Sequence, residues 1–320
     1  AEWDDYSIEK VARFFTLTLL AAIGPVFLIK DWNDLGRFWN ALSFLGLILA
    51  VDALLRVPQS DELSRLTGFG SNTIALGRAA GVALIWLVIL GLEGRLHFMG
   101  FFPVAGIAAF ALLGAGSRGP LLAAGLALFI YFVFLKSNFY QLMRFMGLVA
   151  GVILVLAMSI TWVPESSLER VARLLTGTLG SSEEVRLQAY LASWELMQNN
   201  PLGLGLGGFA SAVELWSGEV RVLYPHNIVL ETFLEGGWLA GLYFLGLVGI
   251  SLFRGYRLGS TLRKAEPRAL LSVFVYMFLN ALVSGDLNDN RLFFATLSLT
   301  LTLGKVRTHS PFRGGSVNVG

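Results

Sequence analysis

The stretch YPHNIVLETFLEGGWLAGLYFLGLVGI, residues 224–250, turns apolar after Asn227 and is long enough to cross a bilayer, yet it starts with His226 and keeps Glu231 and Glu235 in its first turns. A helix needs about 20 largely apolar residues to span hydrocarbon. Runs of that kind recur near 12–29, 38–55, 73–92, 98–116, 119–135, 145–162, 228–252, 269–285 and 291–304. At this length only a helix satisfies its own backbone in lipid. The predicted fold class is therefore all-α, a polytopic membrane helix bundle of about nine spans. Composition agrees: the chain is 55% hydrophobic and 14% charged, with a mean hydropathy of +0.66. That is too little charge to coat a soluble domain of 320 residues.

Basic residues set the expected orientation. One alternate set of loops holds Lys30, Arg37, Arg95, Lys136, Arg144, Arg254, Arg257, Arg263, Lys264 and Arg268, with Lys305, Arg307 and Arg313 in the tail. The opposite loops hold Lys10, Arg13, Arg56, Arg65 and Arg291. The first set is assigned to the cytoplasm, which puts the long loop 163–227 and the N-terminus outside. The start AEWDDYSIEK is acidic, without the basic region and cleavage site of a signal peptide. The expectation is one membrane domain over 1–320, lacking an odd number of upstream helices, with 163–227 as an external insertion. The chain has no cysteine, so disulfides and thiolate metal sites are excluded. No cluster has metal-ligand spacing, and no cofactor or metal is expected. No exposed basic face with interleaved aromatics points to nucleic acid.

The insertion is patterned. SSEEVRLQAYLASWELMQNNP reads as a surface helix over 183–198, with Ser181 and Glu184 as a capping box and Asn199, Asn200 and Pro201 as its stop. Leu187, Tyr190, Leu191, Trp194 and Met197 form an apolar stripe suited to the membrane surface or to the bundle. PLGLGLGGF, 201–209, then reads as a flexible, close-packing turn. Its glycine spacing imitates a dinucleotide fingerprint, but no strand precedes it.

Charged groups gather near the external helix ends. Arg118 lies in GSRGP, Arg186 on the edge of the surface-helix stripe, His226 before a membrane helix, and Arg78 six residues into NTIALGRAAGVALIW. Arginine at such depth is costly unless it faces a wet cavity or an anion. Converging guanidiniums suit a diphosphate through forked hydrogen bonds, and a neutral histidine suits a general base. Plainer readings stand beside these. Arg118 as a snorkelling loop arginine, His226 as a helix cap, Glu231 and Glu235 as partners of other helices, and Trp194 and Trp216 as interfacial anchors are all consistent with the sequence. His97 and His309 receive no role.

The order of these pieces adds information. GSRGP between helices, an Arg186-bearing helix leading into NNPLGLGLGGF, and then HNIVLETFLEGGWLAG together resemble the O-antigen ligase and polymerase family of bacterial envelope glycosyltransferases, over roughly 65–285. Arg118, Arg186, His226, Asn227, Leu230, Glu235 and Gly237 fall on the pattern. Family members usually have ten to twelve helices, so three missing N-terminal helices would reconcile the counts. The resemblance implies a multi-pass protein of the bacterial inner membrane with its site on the periplasmic face. It implies transfer, with inversion, of an oligosaccharide from undecaprenyl diphosphate to an acceptor sugar hydroxyl, the acceptor being a glycan or a lipid A-core type molecule. Arg118 and Arg186 would hold the diphosphate and His226 would act as base. Asn227 would join the substrate contacts, and Arg78 would complete the anion site by our own inference. Glu235 and Gly237 would support the helix that presents His226. The competing class is a lipid-linked-glycan flippase or other transporter, which predicts paired halves with broken helices. This sequence has one asymmetric loop instead.

Overall fold

The computed structural model describes residues 5–56, 66–134, 139–159, 163–176 and 181–303. Arg65, Lys136, Lys305, Arg307, His309 and Arg313 lie outside them, as does 177–180 within the long insertion. Of the described residues, 80% are helical. Its helices are α1 (Asp5–Arg13), α2 (Leu19–Leu28), α3 (Trp32–Arg56), α4 (Thr73–Leu92), α5 (Phe98–Gly114), α6 (Arg118–Phe134), α7 (Phe139–Ser159), α8 (Glu165–Thr176), α9 (Ser181–Asn199), α10 (Gly208–Ala212), α11 (Ile228–Leu262), α12 (Ala265–Ala281) and α13 (Arg291–Thr302). A π-helical segment, Phe14–Thr18, joins α1 to α2. Two short exposed strands, β1 (Trp216–Ser217) and β2 (Val220–Arg221), form an antiparallel hairpin that the all-α expectation lacked. Among the described residues, each of the nine apolar runs falls mostly on helix, the first being shared by α1, the π-helical segment and α2. Four helical stretches are long and apolar enough to cross a membrane: Asp5–Leu28, Trp32–Arg56, Thr73–Leu92 and Ile228–Leu262.

The core is built around α12, in which every residue from Ala265 to Met277 is buried. It packs against α3, α4, α6, α11 and α13, and α4 in turn packs on α3 and α5. The Tyr276 hydroxyl donates to the carbonyls of Gly77 at 3.0 Å and Arg78 at 3.3 Å, fixing α12 to α4. The α4 helix starts at its cap Asn72 and ends at Glu93, so the two ends of the bundle stand about 30 Å apart at 1.5 Å per residue. The Glu93 end is closed by Arg268–Glu93 and Arg95–Glu266, each at 2.5 Å. The Asn72 end holds the candidate site.

Candidate active site

A cavity of about 370 Å³ opens at the Asn72 end, and its walls are mostly first turns of helices. Asn72, Thr73 and Ile74 start α4, Arg118, Gly119 and Pro120 start α6, and Ser182, Glu183 and Arg186 belong to the start of α9. Val283 and Ser284, just past α12, complete the wall. A helix N-terminus leaves backbone N–H groups without intrahelical partners and carries a partial positive charge, so three of them around one space favour an anion. The chain reaches this geometry through Gly116, whose φ of +59° ends α5 and lets α6 begin two residues later. A side chain on Gly116 would meet Ser167 of α8, whose hydroxyl donates to the Gly114 carbonyl at 2.6 Å.

Arg118 and Arg186 therefore line one cavity. Arg118 is ion-paired to Glu183, whereas the Arg186 guanidinium makes no hydrogen bond to a described residue. His226 is not among the lining residues, but Arg186 is close enough to act electrostatically on its ring. His226 adopts a left-handed backbone, φ +58°, a conformation uncommon for residues other than glycine and often found at functional sites. Its Nδ1 is buried without a hydrogen-bond partner among the described residues, and its ring meets that of Tyr224 edge-on at 4.5 Å. Burial and then the Arg186 charge push the imidazole down to about 4, against a smaller opposing pull from Asp289. The ring is thus neutral at ordinary pH.

Asn227, not His226, caps α11: its Oδ1 accepts from the N–H groups of Val229 at 3.0 Å and Leu230 at 3.1 Å. Asn227 also lies close enough to act on the Tyr190 hydroxyl, one turn beyond Arg186 on α9, and that hydroxyl donates to the Leu282 carbonyl at 3.2 Å. Arg78 does not line the cavity. Its Nη2 donates to the carbonyls of Ser284 at 2.8 Å and Asn280 at 3.3 Å, so it braces the Ser284 wall from behind.

Glu231 and Glu235 answer to a residue that the sequence reading counted as a loop cation. Lys10 is 1% exposed, and its Nζ donates to Glu231 Oε1 at 2.5 Å and to Glu235 Oε1 at 2.6 Å. The correction has a simple cause: two buried carboxylates require a buried cation, and α1 supplies it from more than 200 positions away. Glu231 also accepts from the Leu287 N–H at 3.2 Å. The clasp thus ties α1, α11 and the turn after α12 together.

The glycine run is a latch rather than a flexible turn. Gly237 breaks α11 with φ +79° and ψ 176°, freeing backbone groups that the run takes up. The N–H groups of Leu204 and Gly205 donate to the carbonyls of Leu234 and Glu235 at 2.9 and 3.0 Å, and the Trp238 N–H donates to the Pro201 carbonyl at 3.0 Å. A Cβ on Gly203 would fall 2.5 Å from the Glu235 carbonyl oxygen, and one on Gly237 2.6 Å from the Leu202 carbonyl carbon.

Sequence reasoning missed Lys10, Glu183, Tyr190, Ser284 and Asp289. Tyr190 had a signal, since it lies one helical turn from Arg186, and SGDLNDN, 284–290, is a dense polar break between apolar runs. Glu183 and Lys10 had none, because their partners are remote in sequence.

Residues 103–245 match the family model described as O-antigen ligase, so the chain carries that domain over a segment holding Arg118, Arg186, His226, Asn227, Glu235 and Gly237. No curated protein and no solved structure matches the chain. With its long apolar helices, this is a membrane protein in which the segment 103–245 is similar to O-antigen ligases.

Proposed function

We propose that the chain is an integral-membrane glycosyltransferase of O-antigen ligase or polysaccharide polymerase type. It would move an oligosaccharide from undecaprenyl diphosphate to an acceptor sugar hydroxyl on a glycan or lipid A-core acceptor. The observation that carries this reading is the cavity in which Arg118 and Arg186 join three helix N-termini. That combination suits a diphosphate, whose charge grows as it departs. The acceptor oxygen attacks the anomeric carbon from the face opposite the diphosphate, the carbon–oxygen bond to phosphate breaks with its electron pair leaving on the diphosphate, and the configuration inverts. The hydroxyl proton passes to the His226 imidazole, held neutral by burial and by Arg186. We place the site on the periplasmic face of the inner membrane, because the basic loops gather at the opposite end.

The test is His226→Ala in nanodiscs with lipid-linked glycan and acceptor. Turnover should fall about 10²–10⁴-fold, with donor binding nearly unchanged. A folded variant with near-normal turnover would remove the histidine from the mechanism, and the arginine cavity alone would then have to account for catalysis.

A further inference from the structure

We infer that the break at Gly237 marks the edge of the bilayer hydrocarbon, and that α9 seats in the interfacial lipid layer at that level. The two parts of α11 differ in what surrounds them. From Ile228 to Glu235 no residue is exposed, and the segment is enclosed by the clasp and the latch. Beyond the break the helix faces outward with apolar side chains, Leu239 at 85% exposure followed by Leu242, Tyr243, Ile250 and Phe253. Tryptophan and arginine favour the two edges of a membrane. From Trp238 to Arg257 the helix rises about 29 Å, against about 30 Å of hydrocarbon. The acids at the start of this apparent membrane helix therefore stand above the lipid, inside protein.

The α9 helix is fixed to that edge. Trp238 Nε1 donates to the Met197 carbonyl at 3.1 Å, and Leu202, just after α9, is 93% exposed beside it. Ala189, Ser193 and Met197 turn α9 toward the protein, while Leu187, Leu191 and Trp194 are exposed on its outer side. Glu184, Gln188 and Glu195 flank that outer strip. An apolar strip beside polar residues, continuous with the lipid-facing side of α11, fits the boundary between acyl chains and headgroups. The occupant is phospholipid. The consequence is that the cavity opens at headgroup depth, where the phosphate of a lipid arrives without leaving the membrane. This placement does not depend on which reaction the cavity performs.

The chain contains no cysteine, so single introduced cysteines can carry a nitroxide without further changes. Leu191→Cys, Leu202→Cys, Leu242→Cys and Glu195→Cys would be labelled and reconstituted in phosphatidylcholine vesicles, and collisions with oxygen and with a water-soluble nickel chelate measured. All four sites are exposed, so folding should survive. Labels at 191 and 202 should meet the chelate about threefold less than the label at 195, and more often than the label at 242, as expected for a helix sunk about 5–10 Å into the interface. Chelate collisions at 191 and 202 equal to those at 195 would overturn the inference by placing α9 in water. Values equal to those at 242 would overturn it by placing α9 within the hydrocarbon.

Discussion

Two charged clusters share one end of the molecule and are built on opposite plans. The Lys10 clasp is sealed: one ammonium lies between two carboxylates, with side chains at most 1% exposed. The arginine cavity is open, has two guanidiniums against Glu183, and adds the positive ends of three helices. In the clasp the ammonium is bound to groups of the protein itself, so what remains is architecture. In the cavity Arg186 has no hydrogen-bond partner among the described residues, and the surrounding peptide dipoles point the same way. A surplus of positive potential facing an accessible space is the mark of a ligand site, and an ammonium buried between two carboxylates of the same chain is the mark of a brace.

Substitution should separate the two most sharply at the cavity. Arg186→Ala and Arg118→Ala are each expected to lower glycan transfer about 10²–10³-fold, with the thermal midpoint unchanged. Arg118→Lys keeps the charge but loses the fork, and should recover only part of the activity. Transfer within a few-fold of the parent protein in both alanine variants would break the comparison, because the cavity would then be another brace.

Lys10→Met should do the reverse, since it leaves two carboxylates buried without their cation. Removing one partner of a buried ion pair typically costs about 3–5 kcal/mol, so the detergent-solubilised protein should melt earlier or fail to accumulate. Adding Glu231→Gln and Glu235→Gln removes the stranded charge and should restore most of the lost midpoint. A triple variant no more stable than Lys10→Met would mean that the ammonium does more than neutralise its partners.

A smaller loss is expected at the latch. Gly237 has φ +79° and ψ 176°, a backbone region essentially reserved for glycine, and an added methyl would meet the backbone of Leu202. Gly237→Ala should cost about 1–3 kcal/mol of stability, read as a lowered thermal midpoint. An unchanged midpoint would show that α11 can close through the break, and would leave the glycine run without its purpose.

These cases also show what a sequence reading can reach here. Apolar runs extend over many residues, so their length located the long helices, and the α9 stop at Asn199 and Asn200 is local chemistry. Arg118, Arg186 and His226 stand out as candidates because they sit in ordered motifs with glycine and proline punctuation. Lys10 was misread because its role is set by Glu231 and Glu235, far along the chain, and nothing local marks a lysine as buried. The α9 stripe was read as one face, yet Leu187, Leu191 and Trp194 look outward while Met197 looks inward. A helix with apolar neighbours on two sides has no single hydrophobic direction for periodicity to find.

The mildest expected effect concerns pH, and it follows from Arg186, a cavity residue, acting on the ring of His226. The folded imidazole is held at about 4, below its ordinary 6.5, by burial first and the Arg186 charge second. A depressed value favours the neutral form, so the stability it contributes is complete above 6.5 and is lost as pH falls through 4. Between those limits the unfolded chain binds a proton that the folded protein refuses. In catalysis the base form persists over the same window. For the free enzyme, kcat/KM should therefore change by less than about twofold between pH 8 and 5 through this group. Donor binding places anionic charge beside Arg186 and cancels its influence on the ring, so the acid limb of kcat should lie at higher pH than that of kcat/KM. Arg186→Ala should move the kcat/KM limb upward for the same reason. A Lys10-cluster substitution that keeps the fold should leave it in place, because the sealed charges are not among the groups that set the ring's value. Half-loss of kcat/KM near pH 6.5 in the unmodified protein would mean that the imidazole is neither buried nor coupled to Arg186 in the working enzyme, and the distinction between the open cluster and the closed one would fail at the residue where it matters most.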